Sequence, residues 1–529
     1  MSLKKQKYFI LFILIAINTA LSTTFIIYEN KWYIYLFVLA MASLLNSINS
    51  IGNMLYKMIT SIDYNKIYRQ NPNNYVYIIP CYNESKEELE GTLKSLTTQI
   101  TTQQDKKMLL IICDGKIKGK GNNKSTDKIL TEDILVSDDN KNIEKAYKTW
   151  NGKYNKLELY TGKYNKIDYM LLVKHNNIGK RDSLVLLRRL LLAFNKNITK
   201  HALISDELLN YFYDKLDNIF ENILTEEDIK IDYIIGTDAD TVFELTCTEE
   251  LLKTMYLHKK TYGCVGFVDI SKECYKYSPY VMYQYAEYYY SQCLKRQQQS
   301  NLTHKVNCLS GCVQILRICD ETCGDYILNK FNYLPKTDDD IFKHIRSYAS
   351  EDRNHVCLIL SEFPYVEFRQ NLRATAYTKI PMEKTIFLSQ RRRWSLGAST
   401  NDMLLITMPN INLYERLSAL INIITYALSP FVFIATIMFI KSIIKNSSLL
   451  MLFLSIIIMI PISYGLLIPI FIKQLTFKES IYYYVSFLFY LITGSIVNLI
   501  IYVNSIINMD IIKWGKTRTI EMDIQDIEI

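Results

Sequence analysis

At 529 residues the chain is longer than one hydrophobic core ordinarily organises, so two or more structural units are expected. Its 49% hydrophobic and 22% charged residues, with a mean hydropathy of +0.01, exclude a disordered chain. The net charge of +8 comes with no nucleic-acid motif and with Lys and Arg scattered rather than striped, so nucleic acid is set aside as a partner.

In chain order, residues 1–58 read as two transmembrane helices. Tyr8–Tyr28 and Trp32–Tyr56 carry no charged residue, and at about 1.5 Å rise per residue each can cross roughly 30 Å of hydrocarbon. The first run is too long for a cleaved signal peptide, and a second follows closely. Lys4, Lys5 and Lys7 precede the first stretch, while Lys57, Lys66 and Arg69 follow the second. The positive-inside rule then places the N-terminus and the long polar interval in the cytosol.

That interval, residues 59–412, has the pattern of a soluble α/β unit. Tyr75–Pro80 and Met108–Cys113 read as buried strands, Glu84–Leu96 as a helix, and Asp232–Gly236 as a third strand. Strands alternating with helices predict a doubly wound parallel sheet whose ligand lies across its carboxyl edge. Gly115–Asn151 reads as a solvated loop or insertion. GKYNK at Gly152–Lys156 recurs at Gly162–Lys166 and predicts an edge hairpin around a Gly-containing turn. All 11 Cys and all 6 His fall between Cys81 and Cys357. Cys308, Cys312, Cys319 and Cys323 fit zinc spacing poorly and read as buried, reduced thiols.

Chemistry is expected at three places. Asp238-Ala239-Asp240 follows a strand, and two carboxylates one residue apart suit a hard divalent cation completed by a diphosphate. Gln390-Arg391-Arg392-Arg393-Trp394 makes a dense anion clamp, since guanidinium groups match phosphate oxygens and an indole face can stack on a sugar. Taken alone, Glu351-Asp352-Arg353 is a helix-capping acid pair beside an Arg.

Together these segments resemble the processive, membrane-embedded, inverting glycosyltransferases, and among them the chitin synthases. The ordered set is Tyr82-Asn83-Glu84, Cys113-Asp114-Gly115, Gly179 to Leu184, Asp238 to Thr241, Cys308-Leu309-Ser310-Gly311-Cys312, Glu351-Asp352-Arg353, Gln390 to Trp394 and Trp514 to Arg518. The resemblance implies a GT-A-like domain that binds UDP-N-acetylglucosamine and extends a β-1,4 chain. By it Tyr82, Glu84, Asp114, Lys180, Arg181 and Asp182 form the nucleotide pocket, with Asp238 on the nucleotide and Asp240 on Mg²⁺ or Mn²⁺. Gly311 and Cys312 shape the sugar pocket. Asp352 is the general base, oriented by Glu351; Gln390, Arg392 and Arg393 meet the diphosphate, and Trp394 floors the acceptor. Trp514, Thr517 and Arg518 belong to a flap over the nucleotide. Other implied partners are the nascent chitin chain and the bilayer, most naturally the plasma membrane, with a homodimer allowed. The competing readings are a hyaluronan- or cellulose-type synthase and an inert relative that binds nucleotide sugar.

Residues 413–510 hold three more uncharged stretches, Leu417–Ile440, Ser448–Ile472 and Ser480–Met509, read as channel helices ahead of a cytosolic tail, 511–529. Three crossings would strand the flap outside. Two crossings keep Lys441, Lys445, Lys513, Lys516 and Arg518 inside against Lys473 and Lys478 outside, so an even number is expected, with Leu417–Ile440 re-entrant around Pro430. Pro461, Gly465 and Pro469 predict a bent helix, and Asn498, Asn504 and Asn508 are read as interhelical packing.

Overall fold

The structure, a computed structural model, describes residues 2–27, 33–60, 66–119, 121–220, 230–275, 278–445 and 449–511. Ten strands form one mixed sheet: β1 Asn74–Cys81, β2 Lys106–Cys113, β3 Ser137–Lys148, β4 Tyr154–Tyr164, β5 Ile167–Lys174, β6 Tyr233–Gly236, β7 Val242–Phe243, β8 Thr261–Ile270, β9 Gln314–Arg317 and β10 Glu367–Thr378. Their order is β3-β4-β5-β2-β1-β6-β9-β8-β10-β7. The α/β expectation holds, and β5, β2, β1 and β6 run parallel at its centre. Antiparallel pairs on both sides make the sheet mixed rather than wholly parallel.

Side chains alternate across the sheet, so β1 serves two cores at once. Val76 and Ile78 pack with Leu110, Leu187, Leu190, Phe212 and Val356 on one face. Tyr75, Tyr77 and Ile79 pack with Leu89, Leu93, Leu251 and Met255 on the other. Burial on both faces explains why these strands read as continuous apolar runs. The helix after β1 runs Lys86–Thr97, two residues later than the apolar pattern suggested at its start. Ser85 caps it, its Oγ accepting from Glu88 N at 3.4 Å while Glu88 Oε2 accepts from Ser85 N at 3.0 Å.

Gly115–Asn151 is not all loop, because β3 lies within it. Its polar outer residues hid a strand that buries Ile143, Ala146 and Tyr147. The GKYNK copies sit at the two ends of β4. The first runs from the end of the β3–β4 turn into β4; the second enters a β4–β5 turn made by Asn165 and Lys166 at positive φ, giving a three-strand edge rather than a single hairpin.

Among the described residues, three helices are long and apolar enough to cross a membrane, Leu3–Ile27, Met451–Ile472 and Phe477–Ile507. A fourth candidate is the pair Leu413–Ala427 and Ser429–Lys441, bent by 81°. The break falls where Pro430 was expected to interrupt the stretch. Its backbone is re-satisfied by Asn18 from the first helix, whose Nδ2 donates to Ala427 O at 3.0 Å and whose Oδ1 accepts from Phe431 N at 3.0 Å. Helix Tyr33–Ile59 carries the buried Ser47, Asn49, Ser50 and Asn53 in its second half.

Pro461 stays inside helix Leu449–Leu467, and Pro469 opens a wider π turn at Ile468–Ile472. Asn498 accepts from Tyr283 Oη at 3.2 Å and Asn504 donates to Leu388 O at 3.2 Å, so both pack against protein. Asp510, just past the last helix, pairs with Lys7 at 2.7 Å, while Gln6 accepts from Ile341 N at 2.9 Å. The chain thus returns to the α/β unit at Asp510.

Candidate active site

Sheet register assembles the site. Cys81 pairs with Cys113, and Cys113 with Val173, so Tyr82, Asp114 and Lys174 leave adjacent strands at one level. Ile78 pairs with Gly236, and Gly236 with Gln314, which brings Asp238 against the loop holding Gly311 and Cys312. All emerge at the carboxyl ends of the parallel strands, as the sequence predicts.

At the β1–β2–β5 end of the site, Tyr82 N donates to Glu84 Oε2 at 2.7 Å, and Asn177 Nδ2 reaches Tyr82 Oη at 3.3 Å. Asp114 Oδ1 accepts from Lys174 Nζ at 2.7 Å and from Ile178 N at 3.1 Å. Lys174 also meets Asp182 Oδ2 at 2.9 Å, and Tyr147 Oη donates to Asp182 at 2.6 Å. Burial alone would lower the Lys174 ammonium, but Asp114 and Asp182 outweigh it and raise it. Asp182 is therefore a buried brace that shares Lys174 with Asp114. Lys174 escaped the sequence reading because its partner lies sixty residues earlier, and only β2–β5 pairing joins them.

Arg181 also departs from expectation. One residue along helix Lys180–Asn195, about 100° around its axis, it points away from Asp238 and donates to Phe331 O at 2.7 Å and Arg346 O at 3.1 Å. Lys180, the neighbouring residue, stays in the site. Its Nζ binds Asp238 and lies 3.6 Å from Glu351 Oε1. Gly311 permits this approach, since a Cβ there would stand 2.9 Å from Lys180 Nζ and 3.2 Å from Asp238 Oδ1. Burial pushes the Asp238 carboxyl up, but Lys180, Cys312 and Arg393 overrule it and hold it below its ordinary value. Cys312 Sγ lies 3.3 Å from Asp238 Oδ2.

Glu351 and Asp352 open helix Glu351–Glu362. Burial, then the Glu351 carboxylate, raises Asp352, with Lys180 and Arg353 opposing. Cys308 Sγ approaches Asp352 Oδ2 at 3.7 Å. The arginine segment is helical, Lys384–Thr407, and its consecutive side chains diverge by about 100° each. Arg393 faces Glu351, Asp352 and Asp238. Arg392 is set against Arg393 and Asp510 instead, away from the acids. Arg391 is buried, donating to Glu287 Oε2 at 2.6 Å and to Gln390 Oε1 at 2.5 Å. Its guanidinium also lies 4.1 Å from the Trp394 ring centroid. That stack fixes an indole that remains 41% exposed, 6.0 Å from the Tyr288 ring. Gly397 lets the helix close on the acid turn, where an added Cβ would meet Ser350 Oγ at 2.1 Å.

Asp240 acts electrostatically on Cys312 and Tyr288, joining the Asp238 side of the pocket to the Trp394 side. Among the described residues no group of three or more His, Cys, Asp or Glu side chains is placed to hold a metal. Two carboxylates fit an ion that takes its other ligands from a bound diphosphate. Trp514, Thr517 and Arg518 lie outside the described residues. The cysteines are free thiols, all buried except the half-buried Cys312 and Cys319.

Comparison with known proteins places this architecture. A chitin synthase family model matches residues 51–528. Chitin synthase 8 of Gibberella zeae is 33% identical over 99% of this chain and 80% of its own length. Chitin synthase 8 of Verticillium dahliae is 30% identical, over 81% of this chain and 74% of its own. A solved mannosyltransferase from Pyrobaculum calidifontis, in complex with GDP-Man and Mn²⁺, is 11% identical with a TM-score of 0.36, over 86% of this chain and 98% of its own, too distant to bear on the site. The chain is a membrane glycosyltransferase and belongs to the chitin synthase family.

Proposed function

We propose that the pocket transfers N-acetylglucosamine from UDP-N-acetylglucosamine to the C4 hydroxyl at the non-reducing end of a growing β-1,4 chain, on the cytosolic side of the plasma membrane. One observation carries the reading: Asp238, Glu351 and Asp352 converge with Lys180 and Arg393 from four distant segments. Asp352 accepts the hydroxyl proton as the oxygen attacks the anomeric carbon. Attack from the face opposite UDP inverts that carbon. Arg393 and Lys180 stabilise negative charge on the departing diphosphate. Tyr82, Glu84 and Asp114 hold the uridine, and Trp394 stacks under the acceptor sugar. Asp238 and Asp240 would hold Mg²⁺ or Mn²⁺, which neutralises diphosphate charge when bound. The apolar helices beyond Leu413 would pass the polymer outward, and Trp514, Thr517 and Arg518 would close over the nucleotide.

Membranes bearing the chain, given radiolabelled UDP-N-acetylglucosamine with Mg²⁺ or Mn²⁺, should make an insoluble product that chitinase digests and hyaluronidase does not. Asp352→Asn should lower turnover by about 10²–10⁴-fold while UDP still binds. Retained turnover would remove Asp352 as the base.

A further inference from the structure

Behind the acid pair lies a small cavity lined by Lys180, Arg188, Thr237, Gln314, Glu351 and Asp352. Its free space is about that of one water. Arg188 is 3% exposed, and its Nε and Nη1 are buried with no hydrogen-bond partner in the protein. A buried guanidinium left this way is costly unless an oxygen acceptor reaches it. Its near surroundings do not supply one. Phe331 lies 5.7 Å from its carbon, with Arg181 4.7 Å from the same ring, and the neighbouring His355 bonds Thr322 O instead. Burial lowers the Arg188 guanidinium, with the Cys323 thiol and then the Glu351 carboxylate opposing.

We propose that Arg188 is a positioning residue for the proton-accepting pair: its buried guanidinium, lining the same cavity as Glu351 and Asp352, orients the Glu351 carboxylate by its charge and favours the ionised form of Asp352. This rests on Asp352 being the base. Other charges face the pair as well. Lys180 and Arg181 come from the same helix as Arg188; Arg393 faces both acids, and Arg353 and the Cys308 thiol lie beside Asp352. On the far side of Arg188 are Cys323 and His355. Of the two cations lining the cavity, Lys180 is already engaged by Asp238, while Arg188 keeps two buried donors without a protein partner.

The test is kcat/KM against pH for the full-length chain in membranes, comparing wild type with Arg188→Lys, Arg188→Met and Arg188→Gln. Removing one positive charge at this range should move the acid limb up by about one pH unit, so that Arg188→Met falls roughly tenfold further behind wild type from the top of the limb to its foot. Arg188→Gln, which keeps a donor without the charge, should move the limb equally; Arg188→Lys should leave it in place. Gln carries the test if Met fails to fold. Coincident limbs for Gln and wild type, or equal losses at every pH for Lys and Gln, would overturn the role of Arg188. An active Asp352→Asn would overturn the base assignment beneath it, a separate result.

Discussion

The two ends of the pocket treat buried charge in opposite ways. At the nucleotide end, Tyr147, Asp182, Lys174 and Asp114 form a closed chain in which each charge has a partner within 2.9 Å. At the acid end, Asp352 sits beside another carboxylate and meets a backbone N–H and a thiol, and Arg188 has unsatisfied donors. A satisfied network is rigid and suits recognition. An under-compensated one leaves a group ready to exchange a proton, which suits catalysis.

The comparison breaks most readily at Lys174. Lys174→Met leaves two acids buried and uncompensated, and should cost about 3–5 kcal/mol of stability, read by denaturant unfolding, together with weakened UDP binding. The acid end gives a different signature. Because Asp352 is raised, its proton blocks catalysis at a pH above the ordinary aspartate value of about 3.9, so wild-type kcat/KM should fall about tenfold per unit below that limb. The sign for stability is the reverse: a carboxyl whose folded pKa is raised favours the fold when protonated, so this group gives no acid unfolding along the limb. Circular dichroism across the same pH range checks that separation. The smallest effect is expected from Tyr147→Phe, which removes one hydrogen bond to Asp182, worth about 1.5–3 kcal/mol, and should raise KM for the donor more than it lowers kcat.

Much of this was legible beforehand. The runs of β1, β2 and β6, the acids after them and the interruption at Pro430 all follow from local patterning, and the ordered motifs named the family. The strand β3 was not legible, since seven of its twelve residues face solvent and break the apolar alternation.

Within the motifs, sequence determined which residue types reach the carboxyl edge of the sheet, because strand ends and the turns after them are local. Tertiary structure decided which of those side chains enter the pocket. Lys180 and Arg181, or Arg391, Arg392 and Arg393, are neighbours in the chain, yet a helix sends each in a different direction. Lys174 and Arg188 acquire their meaning only from partners remote in sequence, which strand register and helix packing bring within reach.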